Sequence, residues 1–195
     1  ALPNQSRQNR LLISAGNTFY YSDNEGFTII ESTGLEGVAS WGEIYRSTVT
    51  YYNDEPVIFV LTKEWDGGSV VKIFRSDDFG QSFYEVYSTS LLSERAYDIW
   101  SDRYEPSNIY FLKNGDLYSL SINNNNLNFI GNAGPSNQGE NILVGGKDFQ
   151  NNGEFHFHTK IGSRSYFSSD GGITWDDKGE LPSYTFSRNS FSCSY

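Results

Sequence analysis

The chain has 195 residues, 37% of them hydrophobic, and 14 Lys and Arg against 24 Asp and Glu leave a formal net charge of -10. That length suits one domain burying roughly 70% of its unfolded surface, and the negative balance argues against phosphate backbones and anionic membrane surfaces as partners. The longest unbroken apolar run, residues 57–61, falls far short of the roughly 20 residues of a membrane helix. No nucleic acid and no membrane insertion are therefore expected.

Residues 1–10 read as a polar N-terminal segment containing the sequon Asn4-Gln5-Ser6, a triplet that glycosylation acts on in the secretory pathway. The chain begins at Ala1 and contains no Met, so it reads as a processed product, and a secreted or lumenal location is expected. Cys193 is the single cysteine, which excludes an internal disulfide within this chain.

From residue 11 onward short strand signals recur between turns. The first group is 11–14, 18–22 and 27–31; the second is 45–52, 57–62, 70–76 and 82–88. The third is 96–101, 108–113, 116–121 and 127–131; the fourth is 141–146, 154–159, 164–168 and 174–178. Each run is rich in β-branched and aromatic residues and bounded by Gly, Asn, Asp or Ser. The steps Asp54/Pro56 and Asp102/Pro106 read as turns in which Pro sets φ and lacks a ladder donor.

The last two strands of each group flank a repeated turn. Ser76-Asp77-Asp78-Phe79-Gly80-Gln81-Ser82-Phe83 and Ser168-Ser169-Asp170-Gly171-Gly172-Ile173-Thr174-Trp175 share the pattern Ser-x-Asp-x-Gly-x-Ser/Thr-aromatic. Ser and Asp side chains can bond a tight turn, Gly accepts positive φ, and the aromatic returns the chain to a core. A diverged copy begins at Ser22, with Asn24 for the central Asp and Ile29 for the aromatic, and an eroded Asn-rich copy begins at Ser121. The serines at 22, 76, 121 and 168 are spaced by 54, 45 and 47 residues, the length of a four-stranded propeller blade.

The first group has no opening strand, whereas a surplus strand, 184–195, follows the last turn. Together they would make one blade. The expected fold is an all-β, β-propeller domain over 11–195 of four-stranded antiparallel blades, about 11–34 plus 184–195, 41–90, 94–132 and 139–181. A four-blade ring closed by the C-terminal strand removes exposed sheet edges. A four-blade excerpt of a larger ring is the other reading of the same ends.

The two intact octapeptides resemble the Asp-box, or BNR repeat, of sialidases, xyloglucan-cleaving hydrolases and sortilin-type receptors; the run from Ile73 to Phe83 is most similar to the sortilin-type version. The resemblance implies a propeller in which the box lies on the peripheral turn between third and fourth strands. Ser76, Asp78, Gly80, Phe83, Ser168, Asp170, Gly172 and Trp175 are then structural residues. The family includes enzymes, lectins and receptors, so fold alone does not set function. The Arg-Ile-Pro motif of sialidases is absent, and one small domain cannot form the cleft between two propellers of xyloglucanases.

The resemblance also turns attention to the opposite end of the blades, where the first strands begin. That rim carries Glu43, Tyr45 and Arg46, then Glu94, Arg95 and Tyr97, then Arg188 from the closing strand. Such a set suits a polar pocket for a carboxylate, a sugar or a peptide, Arg binding and Glu orienting. Trp65, in the glycine-flanked run Glu64-Trp65-Asp66-Gly67-Gly68, is a candidate contact for a glycan or protein partner. His156 and His158 share a strand face at a spacing that can bind metal, but no third ligand accompanies them. No cofactor, metal centre or catalytic residue is assigned. The expected function is a secreted, non-catalytic binding protein with a glycan, peptide or protein ligand; a sialidase-type glycoside hydrolase using the Glu/Arg/Tyr rim is the alternative.

Overall fold

A computed structural model describes residues 10–36, 38, 42–64, 70–89, 96–102, 107–134, 141–147 and 155–181, and every regular element among them is a strand. The chain divides into two compact units, Ala1–Arg95 and Ala96–Tyr195. In the first, β1 (Leu11–Ala15), β2 (Thr18–Ser22) and β3 (Ile30–Glu31) form a three-stranded antiparallel sheet. A four-stranded sheet follows: β4 (Glu43–Tyr52), β5 (Glu55–Glu64), β6 (Val70–Ser76) and β7 (Tyr84–Ser88). The second unit holds two more four-stranded meanders. They are β8 (Ala96–Ser101) to β11 (Leu127–Asn132) through β9 (Asn108–Lys113) and β10 (Asp116–Ser121), and β12 (Asn141–Lys147) to β15 (Asp176–Glu180) through β13 (Phe155–Ile161) and β14 (Arg164–Ser168).

Four consecutive antiparallel meanders, each in chain order, are β-propeller blades. The expected closing strand 184–195 and the segment 1–9 lie outside the described residues.

Each unit has its own core. In the first, Phe19, Leu35 and Val38 meet Ile58, Val60, Phe74 and Phe83, and the Phe19 and Phe83 rings pack edge to face at 5.1 Å. The other face of β5 and β6 is also buried, through Phe59, Leu61, Val71 and Ile73. Burial on both faces explains why residues 57–61 are apolar without alternation. In the second unit, Tyr110, Leu112, Leu117 and Ala133 pack with Leu143, Phe157, Ile161 and Tyr166.

Two expectations shift for physical reasons. The turn between β4 and β5 is made by Asn53 (φ 52°) and Asp54 (φ 64°), while Pro56 already pairs with Tyr51 inside the ladder. Two left-handed residues match the twist of a tight hairpin. Three of the four last strands start late, β3 at Ile30, β7 at Tyr84 and β15 at Asp176, while β11 starts at Leu127 as expected. Thr28, Ser82 and Thr174, expected to begin or extend those strands, instead give their N–H to Asn24, Asp78 and Asp170.

Within each unit the turn of the later blade docks on the earlier blade. Thr33 N–H donates to Gln81 O at 3.0 Å and Phe83 N–H to Thr33 O at 2.9 Å. Ser32 Oγ donates to Gly80 O at 2.5 Å. Arg10 completes the seam: it donates to both Asp23 oxygens, at 2.5 and 2.8 Å, and to Asp78 O and Phe79 O at 3.2 and 3.0 Å. A glycine sits at each closest approach. A Cβ on Gly34 would lie 1.8 Å from Phe83 O, and one on Gly131 would lie 2.3 Å from Gly172 O.

Gly34→Ala combines that clash with φ +84°, so we expect a loss of about 3 kcal/mol or more in urea unfolding. Gly16→Ala is the control: φ is +60° but nothing lies within 4 Å, so the cost should be only about 1–2 kcal/mol. Equal losses in the two variants would refute the docking account.

Candidate functional site

The Ser-x-Asp turns are built alike. Ser76 Oγ donates to Asp78 Oδ1 at 2.8 Å and accepts from Gly80 N–H at 2.8 Å. Asp78 Oδ1 also accepts from Gln81 and Ser82 N–H at 3.0 and 2.9 Å, and Oδ2 accepts from Ser82 Oγ at 2.5 Å. In the second unit Ser168 Oγ donates to Asp170 and accepts from Gly172 N–H, both at 2.8 Å, while Thr174 donates through N–H and Oγ1 to Asp170. Trp175 Nε1 donates back to Gly172 O at 2.8 Å. At Ser22 an amide takes the carboxylate's place: Asn24 Oδ1 accepts from Ser22 Oγ and Thr28 N–H, and Nδ2 donates to Thr28 Oγ1. Burial acts to raise both carboxylates, but the donors around them win. Asp78 is held below its ordinary value, and Asp170 is lowered to about 2.

The rim residues of the first unit gather at the start of β4. Ile44 pairs with Thr62 and Arg46 with Leu61, so Tyr45 is the extra residue of a β-bulge, a device that re-aims side chains. The Arg46 guanidinium lies 5.8 Å from the Tyr45 ring centroid and its Nη1 donates to Tyr45 O at 3.3 Å. Lys63, only 2% exposed, brings its ammonium to 5.8 Å from the same ring. Glu43 is its cross-strand partner. Lys63 was missed in the sequence because it stands one residue past the expected end of its strand.

A cleft of about 290 Å³ opens beside this strand start, lined by Asn17, Thr18, Glu31, Ser32, Leu35, Glu36 and Val38. Ile44 N–H donates to Gly16 O at 2.8 Å, which ties the bulged strand to the turn that carries Asn17. Polar walls come from two adjacent turns and the end of β3, and Leu35 and Val38 supply apolar surface. Backbone N–H groups of Glu36 and Gly34 lower the Glu36 carboxyl below its ordinary value, against a smaller effect of burial.

Trp65, Glu94, Arg95 and Arg188 lie outside the described residues, and of Tyr97 only the backbone, in β8, is described. The imidazoles of His156 and His158 both pack on Phe167, with centroids 5.6 and 4.5 Å away. Among the described residues no group of three His, Cys, Asp or Glu could hold a metal ion. Trp100 packs with Tyr110, Phe155 and Phe157 in the second unit.

No family model and no curated protein sequence matches this chain. Solved structures do match it. It is similar to YCF48 from Cyanidioschyzon merolae, with TM-score 0.57 and 13% identity over 92% of this chain and 55% of that one. It is also similar to an exo-beta-1,3-galactanase from Phanerochaete chrysosporium solved with beta-1,3-galactotriose (TM-score 0.51, 14% identity, 88% of this chain and 49% of that one). An alpha-L-arabinanase from Penicillium chrysogenum complexed with arabinobiose matches at TM-score 0.50 and 9% identity over 86% of this chain and 58% of its own length. The chain thus spans between 49% and 58% of the length of these proteins. What is shared is the propeller fold.

The turn carboxylates make acid sensitivity predictable. A lowered carboxylate stabilises the fold fully above its unfolded value near 3.8, and that contribution drains away as pH falls toward about 2. Thermal melts of Asp170→Asn should therefore lose less between pH 4 and pH 2 than the parent protein, by roughly 1 kcal/mol after solvent screening. At neutral pH Asp78→Asn should retain the turn as Asn24 does, whereas Asp78→Ala strands two N–H groups and should cost about 2–3 kcal/mol. An Asn variant as damaging as Ala would contradict this.

Proposed function

We propose that this chain is a glycan-binding β-propeller of the Asp-box type, secreted and non-catalytic, which takes its ligand in the cleft lined by the Asn17 turn, the end of β3 and Leu35, Glu36 and Val38. The observation that carries the reading is the composition of that cleft. Asn17, Thr18, Glu31, Ser32 and Glu36 offer donors and acceptors around the apolar Leu35 and Val38. Tyr45 stands on the neighbouring bulge. Sugars present both hydroxyl edges and C–H faces, and sites that hold them mix fixed polar groups with apolar or aromatic surface. The volume, about 290 Å³, is near the lower end of ligand pockets, about 300 Å³, which fits one or two sugar rings better than a folded protein segment.

Other support is indirect. The paired Ser-x-Asp-x-Gly turns, their shared geometry and their docking on the preceding blade fit the Asp-box resemblance. The sequon at Asn4 fits secretion. Two of the similar folds were solved with galactotriose and arabinobiose.

A hydrolase is the second reading, since the same end carries Glu31, Glu36 and Glu43. A general acid needs a raised carboxyl, and Glu36 is shifted the other way.

On a printed glycan array the protein should bind a restricted set of saccharides, and Asn17→Ala, Glu36→Ala and Tyr45→Ala should each weaken that binding about tenfold. Aryl glycosides of the bound sugars should release no fluorophore. Turnover that disappears in Glu43→Gln would replace the binding reading with the hydrolase one.

A further inference from the structure

The far end of β4 carries a second cluster of a different kind. The strand's ten residues span roughly 30 Å, so Tyr52 is remote from Glu43 and the cleft. Phe59, Arg75 and Tyr84 stand in one row across β5, β6 and β7, each paired with the next in register. Phe59 is fully buried beneath them. Arg75 is 6% exposed, and its guanidinium lies 5.7 Å from the Phe59 ring and 6.0 Å from the Tyr52 ring.

Asp77 fixes this arrangement. It accepts from Arg75 Nε at 2.8 Å, its Oδ1 also stands 2.7 Å from Arg75 Nη2, and its Oδ2 accepts from the Tyr84 hydroxyl at 2.6 Å. Burial, then the bond to Asp77, raise the Tyr84 phenol to about 12, so the hydroxyl stays protonated and donating. Tyr52 and Tyr84 nevertheless remain 37% and 46% exposed. Two aromatic rings are thus held in place by a buried cation and its carboxylate while a large part of each is open to solvent.

We propose that Tyr52, Arg75, Asp77 and Tyr84 form a second binding surface, one that takes a neutral saccharide. Exposed tyrosines with fixed orientation supply stacking surface at low entropic cost. The Asp77 carboxylate and the tyrosine hydroxyls supply hydrogen bonds at the ring edges. The charge state selects the ligand class: Arg75 is matched by Asp77, so the patch offers no unbalanced cation for a phosphate, sulfate or uronic acid. A chain carrying net charge -10 adds general repulsion of polyanions.

Native gels cast with soluble neutral polysaccharides (laminarin, arabinoxylan, arabinogalactan) and with polygalacturonate provide the test. Retardation is expected in at least one neutral gel and not in polygalacturonate. Tyr52→Ala and Tyr84→Ala should each weaken it about tenfold. Tyr84→Phe, which keeps the ring and loses the bond to Asp77, should weaken it about threefold and serves if Tyr84→Ala melts below room temperature. Retardation only by polygalacturonate, no retardation in any neutral gel, or retention unchanged in the tyrosine variants each overturns the proposal. If Glu36→Ala abolishes retardation and the tyrosine variants do not, the cleft is the sole site and the cleft reading survives alone. Self-association in ultracentrifugation that vanishes with Tyr52→Ala, with no glycan retention, would mark the patch as a protein interface instead.

Discussion

The fold depends on how a short side-chain oxygen pays for an awkward turn. Each of the three best-formed turns places two consecutive residues at positive φ: Glu25 and Gly26 at 60° and 91°, Phe79 and Gly80 at 57° and 89°, Gly171 and Gly172 at 74° and 93°. A non-glycine residue there costs about 1–2 kcal/mol, and the reversal points several N–H groups inward at once. The Ser hydroxyl takes one and the Asp or Asn oxygen takes the next. Only then can the carbonyls of the same turn face the preceding blade, where Ser32, Thr33 and Arg10 meet them in the first unit.

This coupling separates what sequence reading could reach from what it could not. β2, β6, β8, β9, β10 and β14 fall at their expected positions because hairpin residues bound them locally. The last strands β3, β7 and β15 start later than expected because a side-chain acceptor competes with the ladder for the first N–H groups, a competition that residue patterning does not display, whereas β11 begins at Leu127 as expected. Gly34 and Gly131 look like any loop or strand glycine. Their role is set by Phe83 and Gly172, each more than forty residues away along the chain. Arg10, read as part of a polar tail, is a seam residue for the same reason.

The candidate site is legible in part. Glu43, Tyr45 and Arg46 could be nominated because the start of a blade's first strand is a position, and positions follow from repeat alignment. The bulge at Tyr45, the buried Lys63 beside it and the lining of the cleft could not. The bulge and Lys63 follow from the β4–β5 register, the cleft is assembled from the β1–β2 turn, the end of β3 and the segment after it, and Thr18, Ser32 and Leu35 carry no pattern that separates them from ordinary strand and loop residues. Asp98 is a similar case. This buried carboxylate accepts from Ile99 N–H at 3.0 Å and Leu143 N–H at 2.9 Å, joining β8 to β12, and nothing in its neighbourhood along the chain announces that partner.

The eroded turn at Ser121 shows how far the architecture tolerates change. With no glycine and no carboxylate, Asn125 takes φ 56° and the turn closes through backbone bonds, Ser121 N–H to Asn126 O and Asn125 N–H to Ser121 O, both 2.9 Å. Asn126 N–H finds a side-chain acceptor in Asn124 Oδ1 at 3.1 Å. The requirement is therefore for satisfied donors at a left-handed turn, met by Asp, Asn or backbone as the local sequence allows. Because that requirement is confined to the turns, the strand starts and the exposed rings of blade faces are under no comparable constraint from the fold. Tyr52 and Tyr84 are large and partly exposed, and they stand beside Arg75, whose buried side chain pairs with the half-exposed Asp77. What the Arg75–Asp77 pair orients at the surface is the Tyr84 hydroxyl, bonded to Asp77, and the neighbouring Tyr52 ring.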